Sequence, residues 1–205
     1  HRHYDSGSII YRIGDTNAIA DSGFYKYTDT YRTNFDDPAH ERSAARYHNV
    51  VFVDGRGYQN EDQINGNLIL CREVQPGFVA IIWELTKSYP GLISWERQVL
   101  FSDKGLVIVI DNLKLATESQ SASIFWHLHA EAALLEKNHW QTSVFCGKVI
   151  SNLDFQLQTG VDHPKPYVKI DVTSGKKKFQ TVVSLFGENL NQINSVEFDE
   201  KNSIV

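Results

Sequence analysis

Two His-x-His pairs are the residues of this chain whose types and spacing most directly suggest chemistry. Four of the eight histidines form the pairs His1/His3 and His127/His129. A strand directs every second side chain to the same face, so each pair could share one site. His1, His3 and Asp5 alternate in this way, and neutral imidazole is a common ligand of metal ions. The spacing therefore allows a metal site at a strand end.

Two further residues could complete such a site from other parts of the chain. Asp21 ends the next predicted strand, and a hairpin brings it back near the start of the first strand. His48 opens a third predicted strand. A metal such as zinc binds imidazole nitrogens and carboxylate oxygens at about 2.0–2.2 Å. The alternative is that these are ordinary hydrogen-bonded residues at strand ends, because His-x-His is a short and common pattern.

Short apolar segments must position these residues. They are rich in Val, Ile, Phe and Tyr, and Gly, Asn and Asp separate them about every ten residues. This pattern predicts an all-β fold, a two-sheet antiparallel β-sandwich. The thirteen predicted strands are Gly7 to Ile13, Asn17 to Asp21, His48 to Asp54, Asn67 to Glu73, Phe78 to Leu85, Ile93 to Phe101, Leu106 to Asp111, Ser123 to His129, Trp140 to Phe145, Phe155 to Gln158, Tyr167 to Val172, Phe179 to Phe186 and Ser195 to Phe198.

Turn residues and one long loop complete this outline. Gly14-Asp15 and Asp103-Lys104-Gly105 predict tight hairpin turns, and hence antiparallel pairing of strands that follow one another. The segment from Ser22 to Tyr47 has no strand pattern but carries several tyrosines and arginines. Loops of that length in compact domains are usually functional or disordered, and the aromatic content favours function. The four tryptophans lie in strand patterns and are expected in the core.

Composition limits the class of protein. The chain has 205 residues, of which 41% are hydrophobic, and this predicts a single domain over residues 1–205. With 20 basic and 25 acidic residues its net charge is −5, which lacks the basic footprint of a nucleic-acid binder. No apolar run reaches the roughly 18 residues of a membrane span. The two cysteines have no metal or disulfide spacing, and the absence of methionine suggests a fragment of a longer protein.

Three segments carry a resemblance to a known family: His1 to Ser8 (HRHYDSGS), Asp21 to Tyr27 (DSGFYKY) and Arg42 to Gly55 (RSAARYHNVVFVDG). In their order and spacing they resemble the C-terminal β-sandwich region of heparinase II/III-like polysaccharide lyases. That region commonly begins His-x-His-x-Asp, continues through Asp-x-Gly-x-Tyr and reaches an Ala-His-Asn block followed by Val-Asp-Gly. Arg97 and the segments 106–111 and 125–129 are also similar to later family segments. The resemblance spans about residues 1–130.

The resemblance implies roles for individual residues. A zinc ion in the sandwich would be held by His3, Asp21 and His48. His1 would border the substrate cleft, and Asp5 would orient an imidazole from the second shell of the metal. The pair His127/His129 matches a family segment, and a structural role is expected for it.

The resemblance also implies an activity. Such lyases cleave uronic-acid-containing polysaccharides by β-elimination, and the long loop would bind the acidic sugar through Tyr25, Arg32, Arg42 and Arg46. For each arginine a solvated surface position is the alternative. Most catalytic groups would belong to an N-terminal helical toroid, so the expected partners are that domain and an acidic polysaccharide. The chain alone is expected to be inactive, and the family favours a periplasmic or secreted location.

Two other classes of function stay open from the residues. One is a non-catalytic carbohydrate-binding or scaffold sandwich in which zinc only ties strand ends together. The other is a cupin-like metalloenzyme, since cupins also place His-x-His on a strand with a carboxylate. The glutamate that cupins carry a few residues after the pair is absent here, because Asp5 to Ser8 follow His3.

Overall fold

The computed structural model describes residues 5–21, 47–55, 66–86, 92–162, 165–172, 179–188 and 190. These residues form β-strands and turns, without an α-helix, so no described helix could cross a membrane. The strands are β1 Tyr11–Ile13, β2 Thr16–Ile19, β3 Val51–Val53, β4 Asn67–Gln75, β5 Phe78–Glu84, β6 Leu92–Ser102, β7 Val107–Leu115, β8 Ala122–His127, β9 Ala133–Glu136, β10 His139–Gln141, β11 Cys146–Ser151, β12 Phe155–Asp162, β13 Lys165–Val172 and β14 Phe179–Gly187.

The strands assemble into two large antiparallel sheets and one hairpin. The larger sheet has eight strands in the order β4-β5-β6-β7-β14-β11-β10-β9, and the smaller has four in the order β12-β13-β8-β3. The hairpin consists of β1 and β2. The predicted antiparallel pairing of consecutive strands is confirmed for β4 to β7. By contrast, β14 pairs with β7 and β3 pairs with β8, although these strands are far apart in sequence.

The predicted sandwich is confirmed by the core, which lies between the two sheets. One continuous cluster of buried residues includes Val109 and Leu113 from the larger sheet and Ile124 and Ile170 from the smaller one. Trp126 of β8 crosses the interface and donates its indole N–H to Ser184 Oγ of β14 at 3.1 Å. At about 25 cal/mol per Å² of apolar surface removed from water, this shared core is the main source of stability.

Both predicted hairpin turns are present. Gly14 and Gly105 have φ angles of 55° and 78°, in the left-handed region that glycine adopts without strain. The Tyr11 hydroxyl donates a hydrogen bond to the Gly105 carbonyl at 2.5 Å, which fastens the β1–β2 hairpin to the turn between β6 and β7. Burial, with a smaller effect of nearby Glu188, raises the pKa of Tyr11.

The main difference from the predicted strands lies between residues 133 and 151. The prediction of one strand from Trp140 to Phe145 was wrong: β10 ends at Gln141, and a turn at Thr142 leads into β11. Strands β9 and β11 were not predicted. Strand β9 consists of Ala-Leu-Leu-Glu, residues that favour helix. Pairing with β10 overrides that local preference. The predicted strand Ser195 to Phe198 lies outside the described residues.

Candidate functional site

Asp21 and His48 meet at one end of the smaller sheet. Asp21 follows β2 by two residues and His48 precedes β3 by three. His48 Nδ1 lies 3.1 Å from Asp21 Oδ1 and 3.0 Å from Oδ2. The imidazole is 1% exposed and the carboxylate side chain 20% exposed, so solvent reaches the site from the aspartate side. The structure thus brings together two of the three predicted metal ligands.

The donor chemistry of this contact fits a zinc site. A tetrahedral zinc with bonds of about 2.0–2.1 Å places neighbouring ligand atoms roughly 3.3–3.4 Å apart. The observed separations of 3.0–3.1 Å are a few tenths of an ångström shorter. In the metal-free protein, Nδ1–H can donate to the carboxylate, which only accepts when ionised. Replacement of that proton by a cation would require only a slight opening of the contact.

The other predicted site residues lie outside the described residues: His1, His3, Tyr25, Arg32, Arg42 and Arg46. Among the described residues there is no cluster of three His, Cys, Asp or Glu side chains suited to a metal ion. Asp5, predicted to orient an imidazole, has an exposed side chain, and its carbonyl accepts the Ser8 N–H at 2.8 Å.

Asn49, next to His48, is the structural centre of this site. Its Nδ2 donates to the carbonyls of Ile9 at 2.8 Å and Ala20 at 2.7 Å. Its Oδ1 accepts the His127 N–H at 2.7 Å and lies 3.2 Å from His127 Nδ1. Asn49 is fully buried. Its side chain therefore ties the N-terminal segment, the residue before Asp21 and strand β8 to one point.

The backbone of Asn49 is held as firmly as its side chain. Its N–H donates to Ser8 Oγ at 3.1 Å, and its carbonyl accepts a hydrogen bond from Arg97 Nη1 at 2.6 Å. The same Nη1 donates to the Gly7 carbonyl at 2.7 Å. We call the residues bonded to Asn49, namely Ser8, Ile9, Ala20, Arg97 and His127, together with Asn49 itself, the Asn49 junction.

Arg97 and Asp111 form an ion pair in the core behind the junction. Both side chains are 0% exposed. Arg97 Nε and Nη2 donate to the two oxygens of Asp111 at 2.8 and 2.9 Å, and Trp95 Nε1 donates to Asp111 Oδ1 at 2.8 Å. The guanidinium carbon lies 5.2 Å from the Trp95 ring and 5.1 Å from the Trp126 ring. Two sheets thus enclose one fixed cation.

The structure separates the second His-x-His pair. Strand β8 ends at His127, which is buried, while His129 lies beyond the strand and is exposed. The backbone pairing continues beyond the strand through the Ile19–Leu128 bridge, and the His129 N–H donates to the Ala18 carbonyl at 3.4 Å. Only His127 is buried, however, so the two histidines do not share one buried site. His127 contacts Asn49 and stacks near Phe125, with ring centroids 6.2 Å apart. Its contacts within the junction agree with the predicted structural role.

Within the described ranges, the tryptophans and the two thiols are core or unreactive groups. Trp95, Trp126 and Trp140 are completely buried, as predicted for core residues, and Trp83 is partly buried against the core. Burial raises the pKa of the Cys146 thiol, which keeps it protonated and weakly nucleophilic. Cys71 and Cys146 are both free thiols.

Sequence reasoning missed Asn49, Ser8 and the ion pair as parts of the site. A signal for the pair was present in the strand alternation. Arg97 shares a face with Trp95 and Val99, and Asp111 shares a face with Val109 and Leu113. A charged residue on an otherwise apolar strand face indicates a buried, partnered charge. The partners themselves come from distant parts of the chain.

Comparison with known proteins identifies the class of the chain. The family described as "Heparinase II/III-like, C-terminal" matches residues 1–198. This match covers nearly the whole chain, and the chain belongs to that family. The resemblance seen in the sequence motifs is confirmed, and membership in this family argues against the cupin-like alternative.

Solved structures share the fold. A mutant of the heparan sulfate lyase HepC from Pedobacter heparinus is 18% identical with a TM-score of 0.70, covering 92% of this chain and 32% of that chain. A heparinase III with methylated lysines is 12% identical with a TM-score of 0.67, covering 84% of this chain and 28% of that chain. The chain thus spans about a third or less of these proteins. No curated protein sequence matches it.

Proposed function

We propose that this chain is the C-terminal sandwich of a polysaccharide lyase that cleaves uronic-acid-containing polysaccharides by β-elimination. Its zinc site would consist of His3, Asp21 and His48. The observation that carries the metal proposal is the Asp21–His48 contact, made by residues that are far apart in sequence, in a chain of the heparinase II/III-like family.

The Asn49 junction gives this zinc site its rigidity. Asn49 itself directly follows His48. It bonds to Ala20, the residue before Asp21, and to Ser8 and Ile9 of the segment that follows His3. Zinc, when bound, would supply a cationic bridge between the same three segments. Metal-binding free energy of this kind is linked to folding.

The proposed chemistry requires groups on this chain and on its parent. The C5 proton of a uronic acid is α to a carboxylate and weakly acidic, so cationic or hydrogen-bonding groups must neutralise that carboxylate. We assign this binding to Tyr25, Arg32, Arg42 and Arg46, and we assign His1 to the cleft as a proton-transfer group. The N-terminal domain of the parent would supply the remaining acid and base.

The activity is tested by ultraviolet absorbance, since elimination creates a C4–C5 double bond conjugated with the carboxylate. Full-length parent and the 205-residue chain are assayed on heparin-like, chondroitin-like and alginate substrates. We expect product from the parent and none from the chain alone. Product from the chain alone would show that it holds a complete site, and an inactive parent would remove the lyase proposal.

A non-catalytic carbohydrate-binding or scaffold domain is the second candidate. The observation that favours it is the burial of His48 and its connection to the Asn49 junction, which are features of a structural tie. Retention of acidic polysaccharide by an inactive parent, measured by affinity electrophoresis, would support this candidate over the first.

A further inference from the structure

We propose that Arg97, oriented by Asp111, is the positioning residue of the Asp21–His48 site. The inference rests on the metal site proposed above. It adds a residue that touches neither ligand directly and acts through the backbone next to them.

The first step of the argument is the fixed orientation of the guanidinium. Asp111 binds it through two parallel hydrogen bonds, and two tryptophan rings enclose it from opposite sheets. A bidentate arginine–carboxylate pair specifies direction as well as distance. The two N–H groups of Nη1 therefore point in directions set by the core and not by the site.

The second step is what those N–H groups reach. Nη1 donates to the carbonyls of Gly7 and Asn49, which belong to two segments distant in sequence. One segment leads from the predicted ligand His3, and the other contains His48. Asn49 in turn bonds to the carbonyl of Ala20, next to Asp21. A single cation thus sets the relative position of all three ligand-bearing segments.

The third step is the tolerance of the site. Ligand distances in a metal site must hold within about 0.2 Å. Loss of a partner that orients a metal ligand commonly lowers metal affinity about 10–100-fold. Lysine keeps the charge of Arg97 but has no planar fork, so it cannot hold Asp111 and both carbonyls at once.

The test is cobalt and zinc binding to the full 205-residue chain, with Arg97→Lys as the variant. Leu185→Ala is the matched control, because Leu185 is fully buried in the separate cluster with Ile110 and Val183. Truncation of Leu185 leaves a cavity in that cluster and destabilises the fold without removing a contact of the junction. Cobalt(II) reports on the site through the intensity and position of its visible absorption bands.

We expect Arg97→Lys to weaken cobalt binding about 10–100-fold and to alter the visible spectrum. Leu185→Ala should stay within about threefold of wild type at a comparable loss of melting temperature. Asp111→Asn is the second variant if Arg97→Lys fails to fold. It removes the carboxylate that orients the guanidinium with almost no change in side-chain volume. It should reproduce the loss of affinity.

Three results would overturn the inference. Wild-type affinity and spectrum in Arg97→Lys, with affinity lost in Asp21→Ala, would leave the metal site intact and remove Arg97 from it. Equal losses in Arg97→Lys and Leu185→Ala would show a general effect of stability. A wild-type chain that binds neither cobalt nor zinc would remove the proposed metal site and the inference together.

Discussion

Replacement of Asn49 by aspartate should destabilise the fold severely, although it changes one amide NH₂ to oxygen. Nδ2 donates to two carbonyls, those of Ile9 and Ala20, in a fully buried position. Aspartate would place an acceptor oxygen, in place of the donor, opposite both carbonyl oxygens. A buried polar group that loses its partner costs about 1–3 kcal/mol, so two lost hydrogen bonds cost about 2–6 kcal/mol.

That cost is a large part of the roughly 5–15 kcal/mol that stabilises a typical domain. For a chain of this size it corresponds to a drop in melting temperature of roughly 4–24 °C. Thermal and urea unfolding followed by tryptophan fluorescence would measure it, since three tryptophans are completely buried. The control is Asn67→Asp, the same chemical change at an exposed position of β4.

We expect Asn67→Asp to stay within about 0.5 kcal/mol of wild type. If the free energy of unfolding of Asn49→Asp lies within about 1 kcal/mol of the wild-type value, the junction does not hold the three segments as described. A large loss in both variants would point to the added negative charge instead.

Two further predictions concern the frame around the site. Gly147→Ala should lower the free energy of unfolding by about 1–3 kcal/mol, because the added Cβ would overlap the Trp140 ring. In a double-mutant cycle, Trp140→Leu should recover part of that loss. A Gly147→Ala variant as stable as wild type would contradict this packing. Tyr11 has a raised pKa, so its neutral form stabilises the fold fully below the unfolded pKa of about 10, and this contribution is lost as pH rises through the folded pKa. Tyr11→Phe should therefore lose less stability than wild type as the pH rises above about 10 in urea titrations, and parallel pH profiles would refute the assigned role.

The fold was largely predictable because most strands follow a local rule. Val107 and Val109 alternate with less buried residues along β7, and glycine at a left-handed turn precedes them. Strand β9 was not predictable in this way. Its residues favour helix and are exposed, so only the pairing with β10 makes them a strand.

The meeting of Asp21 and His48 was predictable from the sequence, and the hydrogen bonds that support it were not. Asp21 and His48 stand in recognisable motifs at strand ends, and the structure places their side chains in contact. The Asn49 junction depends on hydrogen bonds between segments whose proximity only the folded chain defines. The face shared by Arg97 with Trp95 and Val99 indicated a buried charge, but no local pattern identifies the Gly7 and Asn49 carbonyls as its acceptors.

Metal stoichiometry of the purified chain tests the central claim most directly. After removal of loosely bound ions, elemental analysis should give about one zinc per chain, and His48→Ala should lose both the zinc and its stabilising effect. His139→Ala is the control, since His139 belongs to no motif and lies in the β10 edge hairpin. A wild-type chain without zinc, or zinc retained in full by His48→Ala, would contradict the account.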